Sequence, residues 1–328
     1  MYQALSELDN IQLFFNTANA ELLNIFLAIV MYGVALGIKP HLFKSALDSP
    51  KPLAVGLVCQ WFVLPVLTFG LVLLFRFHIP SQVALGLILV ASCSGGISSN
   101  FMVQYGKGNV ELSILMTSIT TIGTPIFTPL NFALWGGLYV KYFNRLGLAS
   151  YQPLQVSLGS TVLMVLFVIF LPLVLGWLTN KTAPRFSERL KPVMRYLSIA
   201  LFLATMLVML INNFQVFAKY IKYMLLIVFV HNLLAFCIGY LASIMFKLPV
   251  KDLRTVTLDN GIRNSGLALT LLNNPKVFPT GAGVVNGGMM FVTALWGVWH
   301  LLAGFILAVC LRLLKFDTLD LRRKKRSI

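Results

Sequence analysis

The chain has 328 residues, 58% of them hydrophobic and only 11% charged, with a mean hydropathy of +0.84. A soluble domain carries roughly 25% charged residues, so a water-soluble globular protein is excluded and a polytopic membrane protein is expected. The net charge of +16 does not point to nucleic acid, because the basic residues cluster between hydrophobic stretches, as they do in inserted proteins.

The opening stretch, MYQALSELDNIQLFFNTANAE, lacks a basic n-region and carries Glu7, Asp9 and Glu21. No cleavable signal peptide is expected there, and 1–20 reads as an extracytoplasmic segment. A transmembrane helix needs about 20 mostly apolar residues. By that measure nine spans are expected, at 21–38, 52–75, 82–104, 110–140, 154–178, 195–217, 223–246, 254–273 and 281–314. The third and eighth are interrupted by small and polar residues. The third has the Gly95–Gly96 pair and four serines between Ser92 and Asn100. The eighth, TVTLDNGIRNSGLALTLLN, carries Asp259, Asn260, Arg263, Asn264 and Ser265. At membrane depth each ionisable group costs at least about 2.5 to 3.5 kcal/mol, so such groups mark a pathway or a binding site.

With the N-terminus outside, 19 of the 26 Lys and Arg fall in cytoplasmic loops and six in outer loops, with Arg263 within the membrane. This bias predicts N-terminus out and C-terminus in, with the basic tail 315–328 anchored against anionic membrane lipid. Spans three and eight then run in opposite directions. Two broken helices in corresponding places of two inverted halves are the sequence pointer to a secondary transporter's binding site. The expected organisation is a first repeat over 21–140 with its break at 92–100, an inter-repeat loop at 141–153, and a second, inverted repeat over 154–314 with its break at 258–266.

The glycines at the breaks (Gly95, Gly96, Gly261, Gly266) let the chain leave helical geometry. Each break exposes free carbonyls, which suit a cation, and free N–H groups, which suit an anion. Ser113, Thr117, Thr120 or Thr121, and Thr124 recur at steps of three and four, forming one hydroxyl stripe on span four. Gln60 is a lone carboxamide at membrane depth. Asp259, buried, needs a cation: a metal ion, a proton, or Arg263 four residues on. A continuous helix puts the two on one face; unwinding at Gly261 points them apart. Oxygen donors without Cys or His suit a hard cation such as Na⁺. His231 and His300 read as satisfied core histidines. The four cysteines stand singly as small apolar residues without metal-ligand spacing.

Five stretches in this order resemble the bile acid:sodium symporter family. QWFVLP (60–65) is similar to its QF-x3-P segment, SCSGGISSNFM (92–102) to its GG-x-x-SN crossover, and GNVELSILMTS (108–118) to its GNV-x-LS-x3-TS helix. DNGIRNSGLA (259–268) resembles the E-x-G-x-QNS-x-LA crossover, and LWGVWHLLAG (295–304) the VWH-N-x-x-G segment. The resemblance covers the chain from about residue 28. It implies an all-α, inverted-repeat bundle with two crossing discontinuous helices, in the nine-span form. It implies one sodium site at Ser99, Asn100, Ser113, Thr117 and Asp259. A second would use Gln60, Asp259, backbone near Asn260 and Ile262, and the side chain of Arg263. Substrate would lie near Ile97, Ser98, Asn264 and Ser265. The chain departs from the family pattern in having Asp259 for Glu, Arg263 for Gln, Leu301 for Asn and Ile97 for a frequent Thr. A guanidinium is always protonated and repels a sodium ion beside it. It either replaces the second sodium or turns to the substrate's acid group.

The function expected is sodium-coupled symport of a small organic anion, a bile-acid-like or other carboxylate, by alternating access in the cytoplasmic (inner) membrane. The protein is expected to be a monomer with no cofactor beyond Na⁺ as coupling ion and no nucleic-acid partner. The rival within transport is a sodium-independent or proton-coupled carrier or exporter, favoured by Arg263. No HExxH, GxSxG or paired catalytic aspartates occur, which argues against an intramembrane enzyme. The doubled glycine crossover argues for an occluded site rather than a channel.

Overall fold

A computed structural model describes residues 5–11, 25, 27–33, 35–36, 50–145, 166–273 and 286–314. The described residues are helices joined by short turns, with a single isolated bridge between extended residues. Backbone at membrane depth requires this, since only internal pairing satisfies its polar groups. We number the helices α1 (Pro50–Leu74), α2 (Ser81–Ser92), α3 (Ser98–Tyr105), α4 (Val110–Arg145), α5 (Leu166–Thr182), α6 (Pro184–Asn212), α7 (Phe214–Met245), α8 (Val250–Gly261), α9 (Ser265–Leu272) and α10 (Gly287–Leu313). Four of them, α1, α4, α7 and α10, are long and apolar enough to cross a membrane. The chain is a multi-pass membrane protein. Helical residues between 25 and 36 fall within the first expected span, and the rest of that span lies outside the described residues.

Helix is interrupted within both of the stretches rich in small and polar residues. α2 stops at Ser92 and α3 starts at Ser98; α8 stops at Gly261 and α9 starts at Ser265. The breaks are therefore shorter than 92–100 and 258–266. Gly266 lies within α9 and takes no part in the unwinding. Three other boundaries also move. α6 begins at Pro184, eleven positions before the expected span, because Pro at the first helical position needs no N–H partner. α7 begins at Phe214, so the expected outer loop with Lys219 and Lys222 is helix, and only Asn213 separates α6 from α7. α4 continues through Arg145, taking up the first part of the expected 141–153 loop. The remainder of that loop and the 315–328 tail lie outside the described residues.

The main apolar core gathers Val83 and Leu87 of α2, Phe132 of α4, Val228 of α7, Leu269 of α9 and Trp296 of α10, all buried. Of the cysteines, Cys59 and Cys93 are buried, while Cys237 and Cys310 sit on outer helix faces rather than in the core. None of the four is in a disulfide. Leu5 and Leu8 of the first described segment also enter the main core. That segment is tied to α7 through Glu7, which accepts a hydrogen bond from Lys219 Nζ at 2.5 Å and another from the Tyr220 hydroxyl. These bonds hold the Glu7 carboxyl below the usual carboxylate range. A depressed acid contributes stability above its unfolded-state pKa and loses it as pH falls through the folded value. Glu7→Gln is thus expected to lower the thermal midpoint slightly at neutral pH, and to converge with wild type in acid. Equal midpoints at neutral pH would show that the tie contributes nothing.

Candidate cation and substrate site

The two breaks cross. Gly96 N–H donates to Ile262 O at 2.9 Å and Asn264 N–H to Ser94 O at 2.9 Å, pairing Gly95 with Arg263 in an antiparallel bridge. Neither glycine of the break has a left-handed φ. Their role is close approach: a Cβ on Gly96 would stand 2.9 Å from Arg263 O. Steric room, more than conformational freedom, explains the pair.

Beside the crossing, five of the expected residues come together. Asp259, 1% exposed, lies in the last turn of α8. Ser113 Oγ stands 3.0 Å from Asp259 Oδ1 and 2.7 Å from Asn100 Oδ1. Thr117 Oγ1 reaches the same Asn100 oxygen at 3.4 Å. Ser99 lies beside the carboxylate outside hydrogen-bonding geometry, and Asp259 Oδ2 has no hydrogen-bond partner. The spacing of Ser113 and Thr117 puts both on one face of α4. One serine hydroxyl carries one hydrogen and cannot serve two acceptors, so the cluster holds a surplus of oxygen lone pairs. A carboxylate at the negative end of a helix adds to that surplus. Among the described residues no Lys or Arg pairs with Asp259. No three His, Cys, Asp or Glu side chains come together among them either. The donors are hydroxyl, carboxamide and one carboxylate, a set that suits a hard cation.

Higher on the stripe, the hydroxyls turn inward to their own helix. Thr120 and Thr121 donate to Thr117 O, and Thr124 to Thr120 O. Only Ser113 and Thr117 reach another element.

Arg263 is buried (1% exposed) and makes no ion pair with Asp259. The chain unwinds between them, so their i,i+4 relation is lost. Its Nη2, with two N–H to give, lies instead within hydrogen-bonding distance of three carbonyls, Ala91 O at 2.8 Å, Gln60 O at 3.1 Å and Cys93 O. Local sequence explains why these carbonyls are free. α1 has a π turn over Cys59–Val63 followed by Pro65. Proline has no N–H, so neither Gln60 O nor Trp61 O finds an intrahelical donor there. Asn131 Nδ2 takes Trp61 O at 3.0 Å and Arg263 takes Gln60 O. Ala91 O and Cys93 O are the open C-terminal carbonyls of α2.

The other residues expected near a second cation are adjacent. Gln60 Nε2 donates to Asp259 O at 3.3 Å, Asn260 Nδ2 to Ala235 O at 2.6 Å, and Ile262 O is taken by Gly96. Of the residues expected near substrate, Ile97, Ser98 and Asn264 line the partly exposed edge of the crossing, and Ser265 is buried behind it. Ile97 and Ser98 open α3. Asn264 caps α9, its side chain accepting Leu267 N–H at 3.0 Å, and Ser265 begins that helix. Ile97, Ser98 and Asn264 keep exposure while Asp259, Ser113 and Thr117 have almost none.

Asn131 and Asn232 were not singled out in the sequence. Asn232 Nδ2 caps Gly261 O at 2.7 Å, closing the end of α8. Asparagine within an apolar run was the available signal for both. His231 and His300 are satisfied as expected. Trp296 Nε1 donates to His231 Nδ1 at 2.9 Å, which leaves His231 Nε2–H for Thr68 Oγ1 at 2.9 Å. His300 Nδ1 lies 2.9 Å from Trp296 O.

The family model described as "Sodium Bile acid symporter family" matches residues 24–220. An uncharacterized sodium-dependent transporter, YocS, of Bacillus subtilis (strain 168) is 27% identical over 286 residues, 87% of this chain and 81% of that protein. The P3 protein of Mus musculus is 32% identical over 71% of this chain, which spans 46% of the P3 protein. The probable sodium/metabolite cotransporter BASS2, chloroplastic, of Oryza sativa subsp. japonica is 27% identical over 81% of this chain and 61% of its own length. The chain thus spans most of the bacterial relative but about half of the P3 protein.

Proposed function

The chain belongs to the Sodium Bile acid symporter family, and from that premise we propose that it is a symporter coupling Na⁺ entry to uptake of a small organic anion. It is a transporter, not an enzyme. Relatives named as sodium-dependent transporters and cotransporters support sodium as the coupling ion. The observation that carries the reading is the oxygen cluster around Asp259, with Oδ2 unspent and, among the described residues, no Lys or Arg paired with it.

The division of the site gives the mechanism. Ser99 and Asn100 of α3 face the cation cluster, while Ile97 and Ser98, just before them, face the exposed edge. An anion at the N-terminal ends of α3 and α9 meets the positive end of two short helices. A cation beneath it at Asp259 adds favourable charge, so each ligand strengthens the other's hold. Neutralised together, they let the loaded carrier expose its site to the other side by alternating access. Asp259 left bare disfavours crossing by a partly loaded carrier. The proposed frame is nine spans, N-terminus out and C-terminus in, two inverted repeats meeting after α4, and residence as a monomer in the inner membrane. A carboxylate of bile-acid type, or a smaller organic acid, is the substrate class.

Proteoliposome uptake of a panel of organic acids tests this, at fixed pH and potential. Saturable uptake that rises several-fold with an inward Na⁺ gradient is expected. Equal uptake with choline replacing Na⁺ would favour the second reading, a sodium-independent or proton-coupled carrier, which the buried Arg263 supports.

A further inference from the structure

We propose that Arg263 is a resident cation: its guanidinium occupies the carbonyl cluster at the end of α2, so the crossing holds one fixed and one exchangeable positive charge. The inference rests on reading the Asp259 cluster as the exchangeable cation site.

The carbonyls decide it. Gln60 O, Ala91 O and Cys93 O come from two helices and lie within hydrogen-bonding reach of one nitrogen. The first is freed by Pro65 and the other two by the end of α2. Free carbonyls at a helix C-terminus are the negative end of the dipole and favour a cation. Among the described residues no carboxylate pairs with Arg263; backbone oxygens meet the charge at Nη2, while Nε and Nη1 are buried without a hydrogen-bond partner. Its backbone is held on both sides, by Gly96 N–H to Ile262 O and Asn264 N–H to Ser94 O. With the backbone fixed there, the Nη2 contacts to three carbonyls direct the guanidinium to the end of α2 rather than to a substrate. The opposite break is closed by neutral donors. Gly261 O takes Asn232 Nδ2, Asp259 O takes Gln60 Nε2 and Ile262 O takes Gly96 N–H. Apart from Arg263, whose side chain leaves for the first break, its charged group is Asp259. The two halves of the crossing therefore differ in kind: one carries its cation covalently, and the other awaits one from solution.

Removing the guanidinium while keeping a polar side chain would leave three backbone oxygens around the space it filled. That is a donor set for a small hard cation. Equilibrium binding of radioactive Na⁺ to the purified full chain in detergent tests this, alongside thermal midpoints titrated with NaCl against choline chloride. Wild type is expected to bind one Na⁺ with a Hill coefficient near one, and Arg263→Gln two with a coefficient above one. Wild type binding two, or folded Arg263→Gln binding no more than wild type, would overturn the inference. No binding by wild type with one ion gained by Arg263→Gln would uphold the resident cation and sink the sodium reading of Asp259. Arg263→Ala gives a test independent of sodium and of the glutamine variant's folding. Millimolar methylguanidinium should raise its thermal midpoint by several degrees and leave wild type unmoved. Identical responses of the two proteins would count against a guanidinium-filled site.

Discussion

Asp259→Asn is expected to abolish sodium-stimulated binding and uptake in a protein that still folds. The carboxylate is the only charged group in the oxygen cluster, and asparagine keeps its size. Breaking a buried charge pairing typically costs about 3–5 kcal/mol, so apparent Na⁺ affinity should fall by about two orders of magnitude or more. Without sodium the variant should be at least as stable as wild type, because an unpaired buried carboxylate is removed. The readout is the thermal midpoint against Na⁺ concentration, flat for the variant and rising for wild type. An unchanged sodium dependence would show that Asp259 is not a ligand. Ser113→Ala and Thr117→Ala serve as graded companions, since each removes one neutral donor from the same cluster.

Gly96→Ala is expected to produce the second large effect, through packing. The added methyl carbon would lie 2.9 Å from Arg263 O, 3.2 Å from Arg263 C and 3.2 Å from Ile262 Cγ2. The first two are backbone atoms held by the bridge, so the crossing strands must separate. Overpacking of this kind costs about 1–3 kcal/mol. Separation also stretches the Gly96–Ile262 hydrogen bond and shifts Arg263 against its carbonyls. Transport should be lost with a thermal midpoint several degrees lower. Gly95→Ala is the internal contrast: its methyl would meet the Gln60 Oε1 end of a side chain at 3.1 Å. That end can move, so a milder loss is expected. Equal behaviour of the two variants would show that close approach at Gly96 is not what the crossing depends on.

Much of this site is legible in the sequence because its signals are local. A stretch rich in Ser, Gly, Asn and charge within an apolar run is expensive in a bilayer, so 92–100 and 258–266 stand out. The i,i+4 spacing of Ser113 and Thr117 puts them on one face wherever α4 packs. The family resemblance then joins Ser99, Asn100 and Asp259 to them. The helix ends were harder. Lys219 and Lys222 look like loop residues, yet their long side chains reach outward from a continuous α7, Lys219 to Glu7. Gly266 looks like a breaker and is absorbed within α9, where its neighbours Leu267, Ala268 and Leu269 all pack in the core.

By itself the sequence determined a multi-pass helical chain, the two interrupted segments, and the hydroxyl, carboxamide and carboxylate donors of the cluster, because burial cost and periodicity act within a few residues. The tertiary structure decided the partner of Arg263. Four residues from Asp259, the guanidinium could have paired with it. Unwinding at Ile262–Asn264 instead turns it toward carbonyls freed by Pro65 and by the end of α2. Backbone acceptors carry no mark in a sequence, and only the packing of α1, α2 and the crossing brings them to one nitrogen.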